Sequence, residues 1–287
     1  MPVISIIIPT YNRAHQISIA IQSILNQTFA DWECIVVDDG SLDDTESAIK
    51  KFKDERVQYY KLNQNKGACF ARNYGILKSK GEYIAFQDSD DYWEKDKLEK
   101  QLIFLQQKNL DLSFCRMRTN GNRSGCFPEN SFRYDIVPYE VALSKFTGST
   151  QTFFGKRSCF LDVQFDEKLP RFQDWELIMR MTQKYRVGYQ REILVQQNLG
   201  SDSISSNSQK GIDACRYLLD KYREELKHLS GAKANLLVLI GTYMVQCGSE
   251  KEADQYFREA LKLNPFSARY VCKFILNRFG LLKKVYS

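Results

Sequence analysis

The sequence predicts an α/β protein: a mostly parallel sheet flanked by helices, followed by an α-helical C-terminal extension. Three observations carry this. Short apolar runs alternate with helical stretches through the first hundred residues, each strand and helix together taking about 25 to 30 residues. Right-handed crossovers between parallel strands then put helices on both faces. Beyond about residue 208 the strand pattern stops and helical periodicity takes over.

The elements follow in order. "VISIII" (3 to 8), "ECIVVD" (33 to 38), "RVQYYKL" (56 to 62) and "EYIAFQ" (82 to 87) are apolar, β-branched or aromatic runs of strand length. Between them, "AHQISIAIQSILNQ" (14 to 27), "LDDTESAIKKFKD" (42 to 54) and "GACFARNYGILKS" (67 to 79) read as helices, and another begins near Lys95. "LDLSFCRMR" (110 to 118) reads as a strand, "TNGNRSGCFPENS" (119 to 131) as a loop, and "GSTQTFFGKRSCF" (148 to 160) as a strand entering a short helix. "PRFQDWELIMRMTQKY" (170 to 185) holds an amphipathic helix. "GIDACRYLLDKYREELKHL" (211 to 229) is one amphipathic stretch. Residues 232 to 265 resemble a single tetratricopeptide repeat, with Gly241, Tyr243, Gly248, Ala253, Phe257, Ala260 and Pro265 at that pattern's kinds of position.

Open parallel sheets bind ligands beyond the carboxyl ends of their strands. The residues there are Pro9, Thr10, Tyr11 and Asn12; Asp38, Asp39, Gly40 and Ser41; Asn63, Asn65 and Lys66; and Asp88, Ser89, Asp90 and Asp91. Each group has a structural reading. Ser41 or Asp43 suits a helix start, Tyr11 suits the edge of a core, and "DSDD" (88 to 91) suits a cap for the next helix. A cap needs one side-chain oxygen, however, and three crowded carboxylates repel one another. Asp-x-Asp sets two carboxylates on one side of an extended segment, suited to a hard divalent cation such as Mg²⁺ or Mn²⁺, whose remaining ligands are water and substrate phosphates. With the Tyr11 ring, the Asp39 acceptor and the Arg72 cation, these residues compose a pocket for a nucleotide diphosphate. Neither Gly-x-x-x-x-Gly-Lys-Ser/Thr nor Gly-x-Gly-x-x-Gly follows a strand, which removes support from Walker-type NTPases and dinucleotide dehydrogenases.

"SIIIPTYNR" (5 to 13), "IVVDDGSLDDT" (35 to 45), "NKGACFARNYGI" (65 to 76), "GEYIAFQDSDD" (81 to 91) and "QDWELIMRM" (173 to 181) together resemble the family 2 glycosyltransferases of the GT-A fold. The resemblance spans roughly residues 1 to 205. It implies a GT-A domain over 1–207, with nucleotide-sugar binding in 1–110 and the acceptor side and base helix in 111–207, and a helical extension over 208–287. It implies inverting hexosyl or N-acetylhexosaminyl transfer from a nucleotide sugar, foremost a UDP-sugar, to an acceptor hydroxyl in surface polysaccharide or glycan synthesis. Carried over, Pro9, Tyr11 and Asp39 belong to the uridine pocket, and Arg72, Asn73 and Ser89 to the rest of the donor site. Asp88 and Asp90 are the metal pair, with Asp90 the direct ligand of Mn²⁺ or Mg²⁺ and Asp88, also a donor-site residue, nearer the ribose and a metal-bound water.

Inversion is a single displacement, so a carboxylate must take the acceptor's proton opposite the leaving group. Asp174 matches the family's acidic-Asp-Trp motif and is the candidate base. The family often has Glu before this Asp; here it is Gln173, which keeps Glu176 as a second candidate. Relatives often supply a His near a Ser-x-Ser segment, and "VQQNLGSDSISSNS" (195 to 208) has none, leaving Asn198 or water to substitute. That departure keeps an alternative open: a non-catalytic nucleotide-sugar-binding or assembly protein using its helical extension for partners. Trp93 and Trp175 are read either as sugar platforms or as core.

A formal net charge of +6 over 287 residues does not call for nucleic acid. Eight cysteines without Cys-x-x-Cys spacing suit reduced thiols rather than zinc. The start has no basic leader and no run of membrane-span length, so a cytoplasmic protein is expected, with peripheral contact at the inner membrane face, a protein partner or a homo-oligomer through the C-terminal helices. The mixed apolar and basic stretch from 268 to 287 reads either as a membrane-surface segment or as a packing helix.

Overall fold

The computed structural model describes residues 1–120, 125–129, 132–145, 148–198 and 207–286. The chain divides into two compact units. The first comprises Met1–Tyr139, Thr147–Glu167 and Leu177–Gly200; the second comprises Glu140–Phe146, Lys168–Glu176 and Ser201–Ser287.

The strand and helix alternation is observed as β1 (Ile4–Thr10), α1 (Ile17–Leu25), β2 (Trp32–Asp38), α2 (Thr45–Ile49), β3 (Val57–Lys61), α3 (Ala68–Lys78) and β4 (Tyr83–Phe86). There follow β5 (Tyr92–Trp93), α4 (Lys97–Gln107), β6 (Leu112–Asn120), β7 (Gly125–Phe127), α5 (Tyr139–Ser144), a 3₁₀ turn (Thr150–Thr152), β8 (Phe153–Lys156), α6 (Arg157–Asp162), α7 (Gln173–Lys184) and β9 (Val187–Asn198). One sheet runs β3-β2-β1-β4-β8-β6-β9-β5, with β7 on β6. The half built from β1 to β4 is parallel, whereas β8 runs antiparallel to both β4 and β6. Every residue of β1 and β2 is buried, as expected of strands covered on both faces.

The carboxyl ends of β1, β2 and β4 therefore lie side by side. At the opposite end the strands are tied by buried polar contacts: Ser5 Oγ donates to Glu33 at 2.6 Å, and the Gly81 N–H donates to Ser5 Oγ at 2.8 Å. A side chain at position 81 would bring its Cβ to 2.7 Å from the Ser5 backbone nitrogen, so glycine is required by close approach there.

Three differences from the expected elements have local causes. α2 covers five residues, because Asp43 is drawn into the preceding loop and accepts hydrogen bonds from the Thr45 N–H and hydroxyl. β9, unforeseen, pairs with β6 through register shifts at Cys115, Arg116 and Met117, which break simple alternation. β5 separates "DSDD" from α4, so those carboxylates do not cap the helix; its N-cap residue is Asp96. Trp93 and Trp175 are both buried, which removes them as sugar platforms.

In the second unit, α8 (Ser208–Lys221) and α9 (Arg223–His228) break the expected single stretch at Tyr222; α10 (Ser230–Gln246), α11 (Glu250–Leu263), α12 (Ala268–Arg278) and α13 (Leu282–Tyr286) follow. α10 and α11 form the repeat-like hairpin. Gly248 turns with φ +82°, and the Gly241 position lies against the Phe257 ring, 2.8 Å from an added Cβ. Among the described residues, no helix is long and apolar enough to cross a membrane.

Candidate functional site

The turn after β1 and the loop after β2 interlock. The Asn12 N–H donates to Ser41 Oγ at 2.9 Å, the Leu42 N–H to Asn12 Oδ1 at 2.9 Å, the Arg13 N–H to Thr45 Oγ1 at 2.9 Å and the Ala14 N–H to Asp43 Oδ2 at 3.1 Å. Asn12 has φ +51°, a left-handed conformation that Asn tolerates. The lock presents Tyr11, which is exposed, beyond buried Pro9.

The two aspartates after β2 divide their work. Asp38 is fully buried; its carboxylate accepts the Ser41 N–H at 2.7 Å and the Tyr59 hydroxyl at 2.6 Å. Asp39 accepts the N–H groups of Lys66 and Gly67, at 2.8 and 2.7 Å, just ahead of α3. Burial raises the Asp39 carboxyl above its ordinary pKa, against the pull of those two amides, and neighbouring Asp38 adds to the rise.

After β4 the three carboxylates part company. Asp88 accepts from Arg72 Nη2 at 2.9 Å, so two site residues named from separate stretches meet. Asp91 turns inward, 1% exposed; its Oδ2 accepts Gln151 Nε2 at 2.9 Å and its carbonyl accepts Gln87 Nε2 at 2.8 Å. Asp90 is partly buried, and its carboxyl pKa is raised by burial and then by the Asp88 charge, with the Arg13 cation working against the rise. Ser89 between them is buried. Asn73 lies on α3, with both faces of its amide used: Nδ2 donates to the Phe165 carbonyl at 3.0 Å and to Glu167 Oε1 at 2.9 Å, and Oδ1 accepts the Phe165 N–H at 2.9 Å.

A divalent cation beside Asp88 and Asp90 would offset the burial, and then the neighbouring charge, that lift the Asp90 pKa. Among the described residues, no group of three or more His, Cys, Asp or Glu side chains stands ready for a metal. Asp88 and Asp90 could offer two carboxylates to an ion whose other ligands are water and phosphate. The Ser-x-Ser segment lies at residues 199–206, outside the described residues.

Asp174 belongs to the second unit, in the first turn of α7, where its Oδ1 accepts the Trp175 N–H at 2.9 Å. Phe172 immediately before has φ +64°, a strained conformation for a bulky side chain, and its carbonyl accepts the Glu176 N–H at 3.0 Å. The strain is held by packing: the Trp175 ring lies 5.8 Å from Phe172, and the Arg171 guanidinium covers both Phe172, at 5.1 Å, and Tyr243 of α10, at 4.9 Å. Glu176 is fully enclosed by Lys221, at 2.7 Å, and the Tyr222 hydroxyl, at 2.9 Å. Glu176 is thus buried and ion-paired, whereas Asp174 is partly exposed.

Sequence reasoning passed over Arg13, whose charge acts on Asp90, and Gln151, which holds Asp91. Arg13 closes the "PTYNR" stretch and was visible as a cation at a strand end. Gln151 carries no local signal.

A family model described as "Glycosyl transferase family 2" matches residues 5–165. The protein TuaG of Bacillus subtilis, named for teichuronic acid biosynthesis, is 32% identical over 212 residues, covering 73% of this chain and 84% of TuaG. WfgD of Escherichia coli, named as a UDP-Glc:α-D-GlcNAc-diphosphoundecaprenol β-1,3-glucosyltransferase, is 40% identical over 121 residues, covering 42% of this chain and 48% of WfgD. S. aureus TarS 1-349, crystallised with UDP-GlcNAc, has the same fold at a TM-score of 0.73 and 20% identity, covering 100% of this chain and 91% of that one. Mannosyltransferase PcManGT of Pyrobaculum calidifontis, in complex with GDP-Man and Mn²⁺, matches at a TM-score of 0.65 and 16% identity, covering 99% and 86%.

Proposed function

This chain belongs to glycosyl transferase family 2, and we propose that it inverts configuration as it moves a sugar from a UDP-linked donor to a hydroxyl of a lipid-linked or polysaccharide acceptor. The observation that carries this reading is the pairing of Asp88 and Asp90 at the end of β4, where the Asp90 carboxyl is pushed up by burial and by its neighbour's charge. UDP-GlcNAc in TarS and the UDP-Glc named for WfgD support the donor; the acceptor class rests on the names of WfgD and TuaG. The proposed setting is the cytoplasmic face of a membrane carrying such acceptors.

Each residue has a task in this mechanism. Tyr11 stacks on the base above Pro9, and Asp39 accepts a hydrogen bond from it. Arg72 and Ser89 face the phosphates, while Asn73 ties α3 to residues 165–167 and so holds Arg72 in place. Asp88 and Asp90 would hold Mg²⁺ or Mn²⁺, which when bound supplies Lewis-acid stabilisation of the diphosphate leaving group. Asp174 takes the proton of the acceptor hydroxyl as its oxygen bonds to the anomeric carbon and the carbon–phosphate oxygen bond breaks on the opposite face.

The test is release of nucleotide from a panel of UDP-, GDP- and dTDP-sugars with Mn²⁺, Mg²⁺ or EDTA, for wild type and Asp90→Ala. Metal-dependent release from a UDP-sugar, lost in the variant, is expected. Absence of nucleotide-sugar binding overturns the donor site; tight binding without release, even with acceptor lipids added, favours a non-catalytic binder.

A further inference from the structure

The chain's positive charge is not spread evenly. Residues 260–287 contain six basic side chains and no acidic one, which accounts for the whole formal net charge of +6 and leaves the preceding residues neutral overall. These residues form the end of α11, then α12 and α13.

Their apolar side chains are arranged unusually for helices of a folded unit. In α12, Tyr270 and Asn277 face inward, while Ala268, Cys272 and Ile275, with Phe279 just past the helix end, are all exposed. Spacings of four, three and four residues put these four on one outward stripe. Arg269 borders it on one side and Arg278 on the other. Phe266 in the preceding turn is 95% exposed, Phe279 is 75% exposed and Val285 of α13 is 63% exposed, with Leu281 also exposed between them. Lys283 and Lys284 stand beside Val285. Arg278 and Lys283 touch Asp254 and Glu250 of α11 at 3.3 Å, yet each is more than half exposed, and such surface pairs exchange readily for another anion.

We propose that the outward face of α12 and α13 docks on an anionic lipid bilayer. The apolar stripe supplies area for the headgroup boundary, and the flanking cations face lipid phosphates. A protein groove would also accept the stripe, but the segregation of the entire net charge onto this segment selects a surface of diffuse negative charge. α12 and α13 carry none of the donor-site residues, and docking through them would bring the enzyme to the phase where lipid-linked acceptors reside, a role that rests on the proposed function; the binding itself does not.

The experiment is vesicle co-sedimentation of the full chain with equal parts phosphatidylglycerol and phosphatidylcholine, compared with phosphatidylcholine alone, without nucleotide sugar or acceptor. Binding to the anionic vesicles alone is expected, falling with added salt. Phe279→Asp with Ile275→Asp, and separately Arg269→Glu with Lys284→Glu, should each weaken it ~10-fold or more. Circular dichroism and donor hydrolysis report that both variants stay folded. No binding, or equal binding by wild type and variants, overturns the proposal. So does wild-type dimerisation in analytical ultracentrifugation that is lost in Phe279→Asp, which would make the face an interface between copies.

Discussion

Lys221 Nζ stands 2.7 Å from Glu176 Oε1, and the carboxylate has no exposure to solvent while the lysine keeps 29%. The pair joins α8 to the first turn of α7, two residues after Asp174. The helices after residue 207 thus help build the segment that carries the candidate base.

Lys221→Met leaves the Glu176 charge enclosed with only the Tyr222 hydroxyl and its remaining neighbours. A loss of about 2 kcal/mol is expected, below the full cost of breaking a buried pair because the lysine is partly solvated. Glu176→Gln with Lys221→Met removes both charges and should recover much of it. Urea unfolding of the three variants measures this, and a double variant no more stable than the single one would count against an ionic role.

Asp174→Asn keeps the side chain's shape and removes the proposed base. The kcat for transfer should fall ~10²- to 10⁴-fold, with donor affinity unchanged. Single-turnover transfer alongside calorimetric titration of UDP separates the two; loss of UDP binding would point to a structural role instead.

Asp90 and Asp91 are adjacent in sequence and opposite in expected behaviour. Asp91→Ala deprives buried Gln151 of its carboxylate acceptor, leaving the weak Met117 sulfur contact, and should cost ~2 kcal/mol of stability. Asp90→Asn removes a charge that burial and Asp88 oppose, so without metal it should stabilise the fold at neutral pH while abolishing metal-dependent turnover. Thermal unfolding in EDTA and nucleotide release with Mn²⁺ give the two readouts; loss of stability in both variants would contradict the assignment.

Lys97 is fully buried, with Nζ 2.5 Å from Gln101 Oε1 and 3.9 Å from the centre of the Trp93 ring. Burial holds its pKa down to about 8, against 10.5 for an exposed lysine. The folded state therefore binds fewer protons than the unfolded state between these values, so the penalty is full below about pH 8 and is relieved as pH rises toward 10.5. Relative to Lys97→Met, wild type should gain up to ~3 kcal/mol across that window. Denaturant midpoints at several pH values test it, and a difference independent of pH would show that Lys97 stays charged.

The polar strand ends that compose the candidate site were legible because they are local features. "VISIIIPTYNR" and "IAFQDSDD" each show where an apolar run stops and which polar residues come next, and a parallel sheet gathers those ends. Asp88 and Arg72 came from different stretches and meet at 2.9 Å. β9 was not legible, because its pairing with β6 shifts register and hides the alternation a strand normally shows.

By itself the sequence determined the α/β alternation of the first hundred residues, the repeat-like hairpin and the set of polar strand ends. All of these depend on periodicity and on neighbours a few residues apart. Only the tertiary structure decided which of the crowded carboxylates turn inward: Asp91 is claimed by Gln151, 60 residues along the chain, and Glu176 by Lys221, 45 residues along. A carboxylate's task depends on whether a donor stands opposite it in a place water cannot reach, and that is a property of packing.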